Sequence, residues 1–283
     1  MLVNMKSILS WAEENQCAAG AFNCATLESA RAAVAAAEQL DVPVILQHAG
    51  AHEEYISQEL AGDIMLALAR RSRVPVCVHL DHGAEEDCMV RAIRQGFTSV
   101  MYDASNKPYE QNIAETRRIT QMAHALDMTV EAELGCMPDN LKGQLKDYTP
   151  EDFYTNPDQA ARFFQETGVD ALAISFGTVH GVYKTLPKLS VPVIERVRAA
   201  TGGLPLVMHG GSGLTDDDYR RVIRAGIRKI NYYTYASLAG GRAVLELAHT
   251  RPERLFFHDV ALCATQKMTE DMLRVLKLFS KKA

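Results

Sequence analysis

Short apolar runs alternate with amphipathic segments along most of the chain. The runs are partly β-branched, as is typical of buried strands, and cover residues 17–23, 42–47, 74–80, 98–103, 129–134, 170–177, 204–210 and 228–234. The intervening segments place apolar residues at helical spacing and predict helices over 26–40, 57–71, 85–95, 109–127, 157–167, 190–200 and 215–225. The pattern therefore predicts eight strands that alternate with helices.

The segment boundaries and the alternation together favour one architecture. Several predicted helices open on residues that cap helix N-termini, namely Thr26, Ser57, Asn156 and Thr215. We predict an α/β fold, a (β/α)8 TIM barrel, as a single domain over residues 1–283 with a C-terminal helical tail from about residue 236. A doubly wound open sheet is the alternative. The barrel is favoured because polar residues follow most strands rather than one switch point.

Composition narrows the class of protein. The chain has 283 residues, 47% of them hydrophobic and 23% charged, with a formal net charge of −5. This acidic balance argues against nucleic acid as the main partner. No apolar stretch has the length of a signal-peptide core or a membrane span. The six cysteines are scattered without a CxxC pair and are typical of reduced thiols, so we expect a cytoplasmic enzyme.

Three histidines follow apolar runs at corresponding places. His82, His180 and His209 each come at or just after the end of a predicted strand, and barrel active sites lie at that face. Three imidazoles with an open fourth position are typical of a catalytic zinc site. His79 lies deeper in its strand, and we interpret it as structural.

Four carboxylates accompany these histidines. Asp81 directly precedes His82 and is a candidate general acid or base, although it could also cap the following helix. Asp103 ends the fourth strand. Glu131 and Glu133 share one face of the fifth strand, where a charge is costly unless it is paired or bound to metal. These groups are candidate metal ligands or imidazole partners, with buried ion pairs as the alternative.

Glycine-rich loops follow the sixth and seventh strands. They cover residues 177–181 and 209–213, and backbone N–H groups in such loops can converge on an anion. The eighth strand ends with Asn231, Tyr232, Tyr233 and Thr234. The loops after strands 7 and 8 commonly bind phosphate in these barrels, so a phosphorylated small molecule is the expected partner.

Taken in order, these motifs resemble the class II, metal-dependent ketose-bisphosphate aldolases, which include the fructose- and tagatose-bisphosphate aldolases. The matching pieces are AFN at 21–23, LDH at 80–82, EAELG at 131–135, FGTVHGVYK at 176–184, HGGSG at 209–213 and N-x-x-T at 231–234. The resemblance implies reversible cleavage of a ketose 1-phosphate or 1,6-bisphosphate to dihydroxyacetone phosphate and an aldehyde. It also implies a homodimer or homotetramer.

The resemblance also implies roles for individual residues. Zinc (Zn2+) would be held by His82, His180 and His209, and Asp81 would be the acid/base; Glu133 and Asp103 match an alternative metal position. The carbonyls of Gly181 and Gly210 would hold a monovalent cation, Na+ or K+. The positions that match the substrate site are Asn23, Gly181, Gly210, Gly211, Ser212, Asn231, Tyr232, Tyr233 and Thr234.

Three departures from the family pattern concern proton transfer and the far end of the substrate. The loop at 136–140 lacks the expected glutamate, for which Asp139 is the candidate replacement. Tyr235 stands where an acid usually follows Thr234, and residues 47–50 replace the usual serine or threonine after strand 2. The long segment from 136 to 156 is typical of a lid or a surface loop.

Two other functions are compatible with the same residues. One is a non-catalytic aldolase-fold partner subunit, and another is a zinc-dependent barrel lyase with a different substrate. A zinc barrel hydrolase is disfavoured, because such enzymes usually carry a His-x-His pair after strand 1, where this chain has residues 21–23 as AFN.

Overall fold

Eight parallel strands close into a barrel in sequence order, with the last strand paired to the first. This computed structural model describes residues 1–135, 150–183, 185–251 and 254–282. The predicted (β/α)8 barrel is confirmed, and the open sheet is excluded because the sheet closes on itself. The strands are β1 (Ala19–Asn23), β2 (Val44–Ala49), β3 (Val76–Gly83), β4 (Ser99–Tyr102), β5 (Thr129–Leu134), β6 (Ala171–Ile174), β7 (Leu206–Met208) and β8 (Ile227–Tyr232).

Helices surround the barrel close to their predicted bounds. One predicted helix is too long: the segment predicted to reach residue 127 leaves the helix at His124, and Asp127 adopts a left-handed φ of +56°. The helices are α1 (Met5–Glu14), α2 (Leu27–Leu40), α3 (Gln58–Arg71), α4 (Glu86–Gln95), α5 (Tyr109–His124), α6 (Pro157–Thr167), α7 (Val191–Ala200), α8 (Asp216–Ala225), α9 (Thr234–Thr250) and α10 (Phe257–Ser280).

The predicted cap residues form the expected hydrogen bonds. Thr26 and Ser29 make a reciprocal capping box at α2, and Thr215 does the same with Asp218 at α8. The side chain of Ser57 accepts the N–H of Leu60, and Asn156 accepts two N–H groups of α6. These bonds satisfy N–H groups that a helix start leaves unpaired, which is why the boundaries could be located from sequence.

The N-terminal helix α1, which the apolar pattern did not predict, closes one end of the barrel. Met5, Ile8 and Leu9 are buried and pack with small and apolar residues that point into the barrel. Those interior residues come mostly from the early positions of the strands: Ala19, Ala21, Ile45, Cys77, Ala171, Ala173 and Val207. Helix α1 therefore seals the amino-terminal end, and the carboxyl-terminal end stays available for a site.

The C-terminal helices complete the outer layer. Helix α10 packs against α2, α8 and α9, with Val275, Leu276 and Phe279 fully or nearly fully buried. It thus lies between α8 and α2, where the ring of helices would otherwise be open beside β1 and β8. Within the described ranges, no helix has the length and apolar character needed to cross a bilayer.

Removing part of the α1 seal should destabilise the barrel. Ile8 is fully buried, so Ile8→Ala should lower the free energy of unfolding by about 2–5 kcal/mol through lost burial and the cavity it leaves. The matched control is Ser10→Ala on the exposed face of the same helix, which should change stability by less than about 0.5 kcal/mol. Urea denaturation midpoints measure both, and equal midpoints would contradict the packing role of α1.

Candidate active site

A cavity of about 720 Å3 opens at the carboxyl end of the barrel strands. It gathers most of the residues singled out from sequence, while His209 and Glu133 lie buried at 1% and 3% exposure. The lining consists of Asn23, residues 49–52, Asp81, His82, Asp103, His180, Gly181, residues 210–212 and residues 231–234. Polar groups from seven strand ends therefore converge in one place.

His82, His180 and His209 form one cluster. Their ring centroids lie 4.6 Å apart for His82 and His209, 5.3 Å for His82 and His180, and 5.9 Å for His180 and His209. One ring nitrogen from each lies within 4.8 Å of the other two. Nitrogen atoms at this separation can share a single ion.

Carboxylates fix the orientation of two of these rings. His82 Nδ1 lies 2.7 Å from Asp103 Oδ2, and His209 Nε2 lies 2.9 Å from Glu131 Oε1. The ring nitrogens left for a ligand are therefore Nε2 of His82 and Nδ1 of His209. Such outer hydrogen bonds commonly set the tautomer and direction of metal-binding histidines.

A local break in β3 brings Asp81 and His82 to the same cavity. Neighbouring strand residues normally face opposite sides. Here the register with β4 shifts between Leu80 and Gly83, and His82 adopts a left-handed φ of +49°. This conformation is unfavourable for a residue with a side chain, by about 1–3 kcal/mol, and such positions cluster at functional sites. The irregular end of β3 therefore lets two consecutive side chains reach one cavity.

A fully buried ion pair supports the histidine cluster from below. Lys229 Nζ lies 2.8 Å from Glu131 Oε2, and both side chains are inaccessible to solvent. Burial would raise the pKa of Glu131, but the charges of Lys229 and His209 outweigh it and hold this pKa at about 2. Three roles were open for Glu131, namely metal ligand, imidazole partner and ion-pair partner, and the structure shows the last two. Lys229 was missed, although a lysine inside an apolar strand was a visible signal.

His79 lies beside this pair, at the deeper level expected for it. Its Nδ1 lies 2.8 Å from Ser99 Oγ, and its Nε2 lies 3.6 Å from Glu131 Oε2. Burial and the charge of Lys229 lower the pKa of His79 to about 3, so the ring is neutral. His79 thus packs against the ion pair rather than lining the cavity.

Glu133 and Asp103 form a second possible metal position with His82. One donor atom from each lies within 4.8 Å of the others. Both carboxylate oxygens of Glu133 are buried without a hydrogen-bond partner among the described residues, although Oε2 lies 3.3 Å from His209 Nδ1. A buried carboxylate in this state is costly unless a cation balances it. Imidazole and carboxylate donors at this spacing fit a divalent ion such as zinc.

The electrostatics of the cluster favour positive charge. Burial would lower the pKa of His209, but the hydrogen bond to Glu131 and the nearby carboxylate of Glu133 raise it to about 10. His180 shows the opposite behaviour, because burial and the charges of His209 and His82 lower its pKa to about 3. The surrounding carboxylates therefore stabilise a cation at the centre, while His180 is a neutral imidazole there.

Three amide side chains hold the carboxylate of Asp81. Asn23 Nδ2 and Gln47 Nε2 donate to Oδ2 at 2.8 and 3.1 Å, and Asn231 Nδ2 donates to Oδ1 at 3.1 Å. Burial would raise the pKa of Asp81, but the charge of His82 in particular keeps it well below its usual range. Asp81 is therefore an ionised carboxylate in a fixed orientation.

The helix-capping alternative for Asp81 does not hold. Glu85 occupies the N-cap position of α4 and makes no side-chain capping bond. Gln47 was not predicted as a site residue. It lies opposite Asn23 in the β1–β2 register, so an in-register polar pair within two apolar strands was the signal that could have identified it.

Backbone groups after β7 and β8 form the opposite part of the lining. Gly210 has a φ of +65°, and a Cβ there would clash with the carbonyl of Val179, so the loops after β6 and β7 pack backbone against backbone. The side chain of Ser212 accepts the N–H of Tyr233 at 3.0 Å, and α9 begins at the next residue. Glycine loops beside a helix N-terminus fit an anion such as phosphate.

The tyrosines near this anion site have different roles. The hydroxyl of Tyr232 donates to Asp271 at 2.7 Å, and its ring packs on Phe22 and Phe279, so its phenol is committed to the helix layer. Tyr233 packs on His52 instead, with ring centroids 4.7 Å apart. The hydroxyl of Tyr183, a residue missed from sequence, donates to the Gly210 carbonyl at 2.7 Å. Residues 136–149, which include Asp139, lie outside the described ranges.

The fold and the site define a class of protein: a (β/α)8-barrel enzyme with a histidine cluster of the kind that binds metal and a neighbouring ionised carboxylate. The family model for fructose-bisphosphate aldolase class-II matches residues 3–282. The chain belongs to this family and is an aldolase, a lyase, which confirms the resemblance seen in the motifs.

Individual relatives agree with this assignment. The chain is 38% identical over 256 residues to the probable fructose-bisphosphate aldolase of Bacillus subtilis (strain 168), covering 89% of this chain and 88% of that protein. It is 37% identical over 262 residues to the fructose-bisphosphate aldolase of Staphylococcus aureus (strain Mu50 / ATCC 700699), with the same coverage. The crystal structure of the YdjI aldolase from Escherichia coli K12 superposes with a TM-score of 0.85 at 33% identity, covering 99% and 97% of the two chains.

The buried ion pair beneath the cluster should be important for stability. Lys229→Met leaves Glu131 buried with one partner fewer, so the free energy of unfolding should fall by about 3–5 kcal/mol. Lys267→Met, which removes an exposed lysine from its pair with Glu270, is the matched control and should have an effect below about 1 kcal/mol. Denaturant midpoints compare the two, and similar losses would show that the buried pair is not special.

Proposed function

We propose that this chain is a zinc-dependent aldolase that reversibly cleaves a ketose 1-phosphate or 1,6-bisphosphate to dihydroxyacetone phosphate and an aldehyde. The observation that carries the proposal is the meeting of His82, His180 and His209 with the amide-held Asp81 in one cavity. The fructose-bisphosphate aldolase names of the relatives agree with a sugar phosphate as substrate.

The three histidines would hold the zinc, with Glu133 and Asp103 providing the alternative position. When bound, zinc supplies Lewis-acid stabilisation of negative charge on the ketone oxygen of the substrate. Asp103 and Glu131 keep the ligand nitrogens of His82 and His209 aimed at one point through the hydrogen bonds described above.

Asp81 would move the proton at the bond that is broken. As an ionised carboxylate it can accept the hydroxyl proton in cleavage and return it in condensation. Asn23, Gln47 and Asn231 fix the direction of its lone pairs, so the carboxylate does not have to reorient during the reaction. The hydrogen bonds from these side-chain amides also favour the charged form of Asp81, which is the form that a base requires.

The phosphate of the dihydroxyacetone phosphate unit would bind between the glycine loops and the start of α9. Gly181, Gly210, Gly211, Ser212 and Thr234 line that part of the cavity. Binding this non-reacting group orients the carbon–carbon bond relative to Asp81. We place a monovalent cation, Na+ or K+, at the carbonyls of Gly181 and Gly210, where it would offset the phosphate charge.

The proposal includes an assembly and a compartment. Phe257, Leu262 and Leu245 on α9 and α10 are 84%, 55% and 63% exposed, an apolar surface that supports a homodimer or homotetramer. Sedimentation analysis should give a multiple of the 31.2 kDa chain, and a monomer at micromolar concentration would contradict this expectation.

Free thiols at the five described cysteines agree with a cytoplasmic setting.

Chelation and two variants test the reaction. Enzyme stripped of metal should lose cleavage of ketose phosphates and recover it with zinc.

His82→Ala should lose both bound zinc and turnover, because it removes one of three ligands. Asp81→Ala should retain zinc while kcat falls by about 10²–10⁴-fold, the usual contribution of general acid–base catalysis. Metal analysis and steady-state kinetics provide the two readouts.

The exposed His258 supplies the control for these variants. His258→Ala, with a side chain 73% exposed on α10, should leave zinc content and turnover unchanged. Near-normal turnover in Asp81→Ala would refute the acid/base role. Tight zinc without turnover on any ketose phosphate would favour the non-catalytic partner subunit, and condensation with unrelated donors would favour a different barrel lyase.

A further inference from the structure

One wall of the cavity takes no part in the proposed metal binding, proton transfer or phosphate binding. It is formed by residues 49–51 and His52 after β2, together with Tyr233. Ala49 lies opposite Asp81 in the β2–β3 register, so this wall begins beside the proton carrier. With the phosphate end of the substrate at the loops after β7 and β8, the atoms beyond the cleaved bond point toward the β2 wall. This wall is therefore where the aldehyde half would lie.

His52 is a buried polar side chain whose bonding is incomplete. It is 7% exposed, and its Nδ1 is buried without a hydrogen-bond partner among the described residues. Its ring packs on Tyr233 at 4.7 Å and lies 6.0 Å from that of His48, whose Nε2 is already engaged by the carbonyl of Ile56. An unsatisfied buried nitrogen is costly, and a ligand hydroxyl at this wall would satisfy it.

The polar groups of this wall are neutral. Burial and the neighbouring His48 lower the pKa of His52, although Asp81 acts in the opposite direction. Burial raises the pKa of Tyr233 against the opposite effect of a hydrogen bond to Ser237, so its phenol stays protonated and can form one further hydrogen bond. A phosphate dianion is usually held by guanidinium, ammonium or several converging N–H groups. A neutral imidazole and a phenol can each donate one hydrogen bond and accept another. A hydroxyl group of a ligand, which is also both donor and acceptor, matches them.

We propose that His52 and Tyr233 form the subsite for the aldehyde half, and that this half is an unphosphorylated, hydroxyl-bearing aldehyde. The substrate is then a ketose 1-phosphate rather than a 1,6-bisphosphate. This inference rests on the proposed aldolase function and makes it more specific. It also accounts for a departure from the family pattern, because the loop after β2 here presents a histidine to the cavity in addition to small residues.

A matched pair of aldehydes tests the charge preference. Condensation of dihydroxyacetone phosphate with glyceraldehyde and with glyceraldehyde 3-phosphate compares two acceptors that differ only in the distal phosphate. The wild-type, zinc-loaded enzyme should show a kcat/KM at least about tenfold higher for glyceraldehyde, the effect of one or more satisfied hydrogen bonds. Equal or higher efficiency with glyceraldehyde 3-phosphate would overturn the inference.

Variants test the two residues. His52→Ala and Tyr233→Phe should each raise the KM for glyceraldehyde by about three- to tenfold, and His52→Gln should recover part of the loss because its amide still offers a hydrogen bond. The loss should shrink with glycolaldehyde, which lacks the distal hydroxyl. An equal loss with both aldehydes, or a loss confined to kcat, would indicate a structural role only and overturn the assignment. His258→Ala is again the matched control.

A half-reaction separates failure of this inference from failure of the aldolase proposal. Exchange of a dihydroxyacetone phosphate methylene hydrogen with solvent deuterium needs no aldehyde. Exchange together with a preference for the phosphorylated acceptor would reject the neutral subsite and keep the aldolase. Neither exchange nor condensation with any aldehyde would reject both.

Discussion

The site depends on the buried contact of Glu131 with Lys229 and His209. One carboxylate on β5 binds an ammonium group on β8 and an imidazole that follows β7, all at 0–1% side-chain exposure. Ion pairs removed from water are favourable only when their geometry is well satisfied, so this contact strongly constrains how the three strands meet. It also leaves Nδ1 of His209 on the other side of the ring, 3.3 Å from Glu133 Oε2. The orientation of the His209 ring is thus a consequence of barrel closure.

A second polar layer lies above this contact and fixes the carboxylate of Asp81 through hydrogen bonds from several strands. Asn23, Gln47 and Asn231 come from β1, β2 and β8 and surround a carboxylate on β3. The two layers favour opposite charges side by side: the carboxylates of the lower layer stabilise a cation, and the amides of the upper layer stabilise the anionic form of Asp81. Buried polar groups in a low-dielectric interior interact strongly, which makes this arrangement effective and intolerant of unpaired atoms. Glu133 and His52 carry such atoms, and both lie where a ligand is expected.

Much of the fold and of the site could be read from local patterns. Strands and helices followed apolar periodicity, and caps such as Thr26 and Thr215 marked helix starts within a residue. His82, His180 and His209 were identifiable because strand ends in a parallel barrel share one rim. Lys229 and Gln47 stood out only as polar residues within apolar strands, and their roles could not be assigned, since their partners lie 98 and 24 to 34 positions away along the chain and only strand register brings them together. Helix α1 was not predicted for a similar reason, because its apolar face packs only against the end of the closed barrel, which the local sequence does not reveal.

By itself, the sequence determined the architecture and the family and singled out the histidines and carboxylates of the cavity, because periodicity and short motifs express local geometry and chemistry. Only the tertiary structure decided how the groups are used. It showed that Tyr232 bonds to Asp271 while its neighbour Tyr233 packs on His52. It also showed that Glu131 serves as an ion-pair partner while Glu133 lies beside His209, within reach of His82 and Asp103. These choices follow from burial, register and the break in β3 at His82, which are set by contacts between segments distant in the chain.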